Sequence, residues 1–285
     1  MNFGIIYDIN INTQIFSLRE KRGLKFFFIP KSIFKRLKKY LYAGNFISFT
    51  VNNTTTVKNN KEISVVKSIK EISVPSNARR IKLYSKNDNS KELASFLETM
   101  NNLMFIDLEM SMPDYDEKNH TSELVQASYI ITDYKFNVLR KRDFHIMPTL
   151  NKAINRRTSE FLHIDYEFLK INGTEYINFY KLFKNDIDEY SPTLVIFGKN
   201  DKRFLESSYR INNCESLNSK LRFVNLSQLL KNYYDLINDP GLFKMYEKLY
   251  GVLLDEQKHD AYEDAYYTLK VYEKFKEIVG NNIKA

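Results

Sequence analysis

The chain has one cysteine, Cys214, in 285 residues, so it has no internal disulfide, and no cluster of cysteine with histidine offers a structural zinc site. Both absences suit a reducing, cytoplasmic setting. They leave stability to an apolar core, which a chain of this length can bury, with two domains as the starting expectation. Nowhere do about 18 apolar residues run together, so no helix is expected to span a membrane and no membrane partner is expected. The N-terminus lacks a basic start followed by a long apolar stretch, so no signal peptide is expected. Glycine and proline are sparse, eight and six residues, and no repeat or low-complexity tract breaks the chain.

The charge that is present is divided unevenly. Residues 1–99 carry 18 Lys+Arg against 7 Asp+Glu, a balance of +11, while residues 100–285 carry 25 against 28, a balance of −3. A basic segment joined to a mildly acidic one suggests that the first attracts a polyanion and the second holds carboxylates for other work; the plainer alternative is a well-solvated first half.

Short apolar runs at Phe3–Tyr7, Gln14–Leu18, Lys25–Ile29, Phe46–Val51 and Glu62–Ile72 read as five strands of a small barrel. Asn52–Asn60 reads as a polar loop, and Ser32–Tyr42 as a helical turn or a basic connection. Ser85–Ser90 is the best linker, which puts the domain division at 1–90 and 91–285. Beyond it, strand patterns at Leu103–Leu108, Leu124–Thr132 and Thr193–Phe197 mix with helical patterns at Glu175–Asp188, Lys202–Arg210 and Asp260–Val279. Such mixing predicts an α/β sandwich.

Three places along this second part carry acids where an apolar setting would exclude them. Phe105-Ile106-Asp107-Leu108-Glu109-Met110-Ser111 is a strand ending in two acids two residues apart, hence on one face. Like charges so close cost free energy, and a divalent cation is the usual compensation. In Leu194-Val195-Ile196-Phe197-Gly198-Lys199-Asn200-Asp201, a glycine lets the backbone turn and brings Asp201 to the mouth of the next helix. In His259-Asp260-Ala261-Tyr262-Glu263-Asp264, five residues of ideal helix would set His259 and Asp264 about 140° apart. His259 is therefore expected in the preceding loop, with Asp260 and Glu263 solvated. A zinc pair of His259 with Glu263 finds no further ligand run. His120, His145 and His163 read as a loop, a strand and a packing residue.

At these three places the sequence resembles the DEDDh 3′→5′ exonucleases, the ribonuclease H-like group that includes oligoribonuclease, ribonuclease T and polymerase proofreading subunits. Asp107 and Glu109 match the Asp-x-Glu motif, Asp201 the second motif, and His259, Ala261 and Asp264 the His-x-Ala-x-x-Asp motif. The sibling subgroup has tyrosine four residues before the last aspartate, where this chain has Asp260. Glu123-Leu-Val-Gln126 also resembles the start of the family's second strand. Any one motif is weak alone, while three in order form a strong signal.

The resemblance implies an α/β, ribonuclease H-like mixed sheet flanked by helices, and a 3′→5′ exonuclease acting on single-stranded nucleic acid. RNA is preferred over DNA, because the Asp-Leu-Glu-Met wording is close to oligoribonuclease. It implies two Mg²⁺ or Mn²⁺ ions on Asp107, Glu109, Asp201 and Asp264, with His259 as general base. It also implies Met110 and Ser111 in contact with the terminal nucleotide, and, from the frequency of dimers among relatives, a homodimer. The alternatives are a DNA exonuclease of proofreading or repair, and a non-catalytic binding protein, which would lack one of the acids or the histidine.

A weaker resemblance, to cold-shock-type OB domains, lies in Lys25–Ile33, Gly44–Phe49 and Val65–Ile69. It implies a small all-β OB-like barrel before the α/β domain, with Phe26, Phe27 or Phe28 stacking bases. Lys25, Lys31, Lys35, Arg36, Lys38 and Lys39 would follow phosphates. Two features depart from the pattern: the glycine/aromatic motif is missing around Gln14–Leu18, and Ile29 stands where a histidine is usual.

Overall fold

A computed structural model describes residues 1–284 apart from 22, 59–60, 76–79, 118, 151–153, 237 and 255–258. The chain forms two compact units. One comprises Met1–Ser95 with Leu230–Asp239 and Val279–Ala285, the other Phe96–Leu229 with Pro240–Ile278.

The first unit opens with β1 (Asn2–Asn10), β2 (Ile15–Glu20) and β3 (Gly23–Phe28), then α1 (Lys31–Leu37) and a 3₁₀ turn, Lys38–Tyr40. It continues with β4 (Phe46–Lys58), β5 (Lys61–Val74), β6 (Ile81–Ser85) and the start of α2 (Lys86–Glu98). The sheet order is β3-β2-β1-β4-β5-β6, and a parallel pairing of β3 with β5 (Phe27 with Ser64, Phe28 with Val65) closes five strands into a barrel. Alternation decides which phenylalanine is inside. Phe27 is buried against Phe16 and Phe49, at centroid distances of 5.3 and 4.8 Å, while its neighbour Phe26 turns outward. Each such ring pair is worth about 0.5–1.5 kcal/mol beyond area burial.

Two expectations for this unit are corrected. The polar run from Asn52 is not a loop: β4 continues to Lys58, pairing Thr55, Thr56 and Val57 with Ser64, Ile63 and Glu62, and β-branched residues suit that extended arm despite their polarity. Positions 59–60 lie outside the described residues. Ser85–Ser90 is not a linker either. Ser85 ends β6 and accepts a hydrogen bond from the Asp88 N–H at 3.2 Å, so the polar residues begin α2.

The second unit holds β7 (Leu103–Met110), β8 (Leu124–Thr132), β9 (Val138–His145), α3 (Arg156–Leu162), α4 (Tyr166–Asn172), α5 (Tyr176–Tyr190) and β10 (Thr193–Ile196). After these come α6 (Asp201–Ile211), β11 (Arg222–Asn225), α7 (Leu226–Tyr234), α8 (Leu242–Tyr250) and α9 (Ala261–Lys284), with α7 from Leu230 and α9 from Val279 counted in the first unit. Its sheet runs β11-β10-β7-β8-β9, with β10 parallel to β7 and β11, and β8 antiparallel to β7 and β9. A mixed sheet flanked by helices, preceded by a small barrel, is the architecture expected from the sequence. No described helix is long and apolar enough to cross a membrane.

Strand β7 serves two layers. Met104, Ile106, Leu108 and Met110 join a buried cluster with Phe179, Phe183 and Ile187 of α5 and Leu205 and Tyr209 of α6. The alternate residues face the other way, where Phe105 packs edge-on against Tyr272 of α9 at 5.5 Å. Asp107 and Glu109 share the face of Phe105, so the period of two turns both acids toward the α9 layer.

Candidate active site

Each acid reaches the site through a separate element. Because β10 runs parallel to β7, with Val195 opposite Phe105, the chain leaves β10 at the end of the sheet where Asp107 lies. Gly198 then adopts φ +134°, a conformation that L side chains rarely take, and the turn sets Asp201 as the first residue of α6, 7% exposed. Asp264 is also 7% exposed and lies on the inward stripe of α9 with Ala261, Ala265, Thr268 and Tyr272.

His259 lies in the loop before α9 with φ +51°, and its ring stacks on Phe161 of α3 at 4.2 Å and 25°. This brings Glu109, His259 and Asp264 together, with ligand atoms all within 4.8 Å of one another. The electrostatics tie in the other two acids. Burial, then the charges of Asp201, Glu109, Asp264 and Asp260, hold the Asp107 carboxyl well above its usual range. Burial, followed by Asp264, Asp201 and Asp260, pushes Glu109 up to about 8, and burial raises Asp201 to about 6. His259 moves the other way: burial, with a smaller contribution from His163, lowers its pKa and favours the neutral ring.

Among the described residues no Lys or Arg enters the electrostatics of these carboxylates; such crowding is unfavourable for the protein alone, and oxygen donors of this kind suit a hard divalent cation. The set therefore fits divalent metal ions. Among the described residues it contains no thiolate, and Cys214 donates weakly to the Asn212 carbonyl at 3.5 Å.

The surrounding hydrogen bonds explain how the strand and helix are kept in register. Gln126, opposite Glu109 on β8, donates to Asp260 at 3.1 Å and accepts from the Ala261 N–H at 3.2 Å. Asp260 also accepts from the Glu263 N–H at 2.9 Å, which makes it the cap of α9. This corrects the expectation that Asp260 is simply solvated; Glu263 is exposed. Gln126 is visible in the sequence through its Glu-x-x-Gln setting, whereas Phe161 has no sequence signal, since α3 was not anticipated.

The remaining residues fall as follows. Met110 lies in the apolar cluster and is 8% exposed. Ser111 is buried, and its hydroxyl accepts from the Glu123 N–H at 2.9 Å and bonds His120 Nε2 at 3.1 Å. His145 ends β9, edge-on to Phe168 at 4.9 Å. His163 is corrected: it is exposed at the end of α3 in a left-handed conformation (φ 54°) and packs into no core.

Comparison with known proteins follows the same residues. The model of the exonuclease family (RNase_T) matches residues 104–272. Among solved structures, the nuclease domain of 3′hExo, a DEDDh family member, bound to rAMP, superposes with a TM-score of 0.54 at 14% identity, over 64% of this chain and 93% of that one. Cell-death related nuclease 4 (CRN-4) gives 0.52 at 16%, over 64% of each chain. E. coli exonuclease I in complex with a dT13 oligonucleotide gives 0.50 at 18%, over 64% of this chain and 42% of that one. No curated protein matches the chain in sequence. With the acids and histidine on the matched segment and the fold shared with DEDDh nucleases, the chain belongs to the exonuclease family.

Proposed function

We propose that the protein is a two-metal 3′→5′ exonuclease that removes nucleoside monophosphates from single-stranded nucleic acid, RNA in preference to DNA. The observation that carries the reading is the meeting of Asp107, Glu109, Asp201 and Asp264 with His259, from one strand, one helix start and the loop and first turn of α9.

Asp107, Glu109, Asp201 and Asp264 would hold two Mg²⁺ or Mn²⁺ ions. When bound, these cations supply positive charge at the scissile phosphate and ease attack by water. By fixing where the cations sit, the carboxylates would also fix where the phosphate settles. His259, whose pKa burial lowers, takes the proton from the attacking water. Phe161 holds that ring by stacking, and Gln126 with Asp260 holds the start of α9, and with it Asp264.

The preference for RNA rests on the wording of the first motif and on the barrel, which we read as an OB-like module at 1–90 for single strands. Its cyclic pairing of β1, β2, β3, β5 and β4, and its outward Phe26, support that reading. Arg36 drops out of the phosphate-following set, because it pairs with Asp235 and donates to the Asn232 carbonyl at 2.8 Å. The single thiol suits a cytoplasmic setting.

Matched 3′-labelled and 5′-labelled strands of RNA and DNA, incubated with Mg²⁺, test direction and sugar together. The reading expects labelled mononucleotide from the 3′-labelled strand first, and faster from RNA. Internal cuts, or release from the 5′ end, would overturn it.

A further inference from the structure

The first unit contains a cavity of about 810 Å³ that none of the chemistry above uses. Four lysines line it: Lys67 and Lys70 on β5, and Lys86 and Lys91 on α2, with the rings of Tyr233 and Tyr234 beside them. All six belong to this unit.

Its charge balance is the informative feature. The acid in the lining, Asp235, is nearly sealed, its side chain 5% exposed, in a left-handed conformation (φ 57°). It accepts from Arg36, from Lys86 at 2.9 Å and from Ser68 at 3.0 Å, so its charge is already spent on two cations. Lys67 and Lys70 are exposed and form no ion pair among the described residues, and Lys91 adds a further positive charge. A hollow that gathers cations and uses its one acid as an internal brace is electrostatically prepared for an anion.

The spacing indicates what kind. Three residues of strand separate Lys67 from Lys70 by about 10 Å, and five residues of helix separate Lys86 from Lys91 by about 7.5 Å along the axis. Lysines strung out in this way suit successive phosphates of a strand. The two tyrosines, edge-on to each other at 5.0 Å, add aromatic surface on which a base can stack. Stacking on rings while lysines track the backbone is how single strands are held without reading their sequence.

We propose that this cleft binds the backbone of single-stranded nucleic acid, as a site separate from the carboxylate cluster and from the outward aromatic strand. The inference rests on the nucleic-acid reading above.

The test uses the full chain in EDTA, so that nothing is cleaved, with a fluorescein-labelled 20-nucleotide single strand and anisotropy as readout. For Lys67→Ala/Lys70→Ala/Lys91→Ala, affinity falls about tenfold or more at 0.1 M salt, and the slope of log affinity against log salt flattens by about 2, the value for three lost phosphate contacts. A control triple, Lys141→Ala/Lys170→Ala/Lys181→Ala, removes the same charge elsewhere and shifts affinity less than about twofold, as expected for lysines that touch no phosphate. Should the cleft triple melt early, Lys70→Glu alone, at an exposed position, carries the same direction of change. Equal losses in both triples, or wild-type affinity in the cleft variants, would overturn the site. Hydrolysis by the wild-type chain in Mg²⁺ is a separate readout: its absence would sink the nuclease reading and leave the binding result standing.

Discussion

In the second unit four carboxylates are packed at one end of a sheet, with Asp201 and Asp264 almost wholly buried, whereas in the first unit four lysines line an open cleft and only Lys86 is drawn to an internal acid. Both arrangements concentrate charge of one sign, yet the consequences differ. Burial, and after it mutual repulsion, shifts the protonation of these acids, so they call for compensation at a point. Exposed lysines are screened by water and salt, so they cost little and serve an extended partner. Dense buried charge thus marks chemistry, and dispersed surface charge marks attraction.

The sharpest way to break this comparison is to remove buried acids. Asp107→Ala or Asp264→Ala should reduce hydrolysis to background while the fold survives, because the loss relieves repulsion; near wild-type cleavage in a contamination-controlled assay would end the assignment. His259→Ala should follow, lowering kcat by about 10²–10⁴-fold, the range for a lost general base. Phe161→Ala should come next. Without its stacking partner His259 is less well placed, and a drop of about tenfold in kcat, with KM little changed and partial recovery in Phe161→Tyr, separates positioning from folding damage.

The smallest effect is on stability, and its sign follows from the raised pKa values. In EDTA the folded chain keeps protons on Glu109 and Asp201 up to about 8 and about 6, whereas the unfolded chain releases them near the ordinary values of 4.5 and 3.8. The folded state therefore binds more protons across that window, and stability falls as pH rises through it. The melting temperature of the metal-free protein should decline from pH 5 to pH 8, and Mg²⁺ should restore it. At pH 8, Asp107→Asn should raise it, by about 2–4 °C per kcal/mol of repulsion removed. A flat profile would mean that burial and charge crowding do not raise the pKa values of these acids.

How much of this can be read without coordinates differs between the units for physical reasons. Asp107 and Glu109 stand out because charge interrupts an apolar strand, Asp201 because a glycine turn precedes it, and His259 because helical geometry expels it from α9. Local pattern and site coincide there. The barrel's closure depends instead on a parallel pairing between β3 and β5, which no adjacent residues encode. Asp235 and the tyrosines of the cleft come from a segment more than 130 residues downstream of α2, so neither the cleft nor the brace is visible in the basic N-terminal composition. Phe161 and the Gln126 contact of Asp260 are hidden for the same reason, since each depends on a neighbour distant in sequence, whereas the cap of Asp260 on the Glu263 N–H is local. The long arm of β4 was obscured by its polar composition, and the linker by residues that cap a helix as readily as they break one.

Truncating the chain at residue 95 would not isolate the barrel's contribution, because Leu230–Asp239 and Val279–Ala285 are part of the same unit. Point substitutions are the cleaner instrument. The central claim, that acids from separate elements share a pair of cations, is tested most directly by calorimetric titration of the full chain with Mn²⁺. The account predicts two ions per wild-type chain and loss of at least one in Asp107→Ala. Unchanged stoichiometry and affinity in that variant would contradict it.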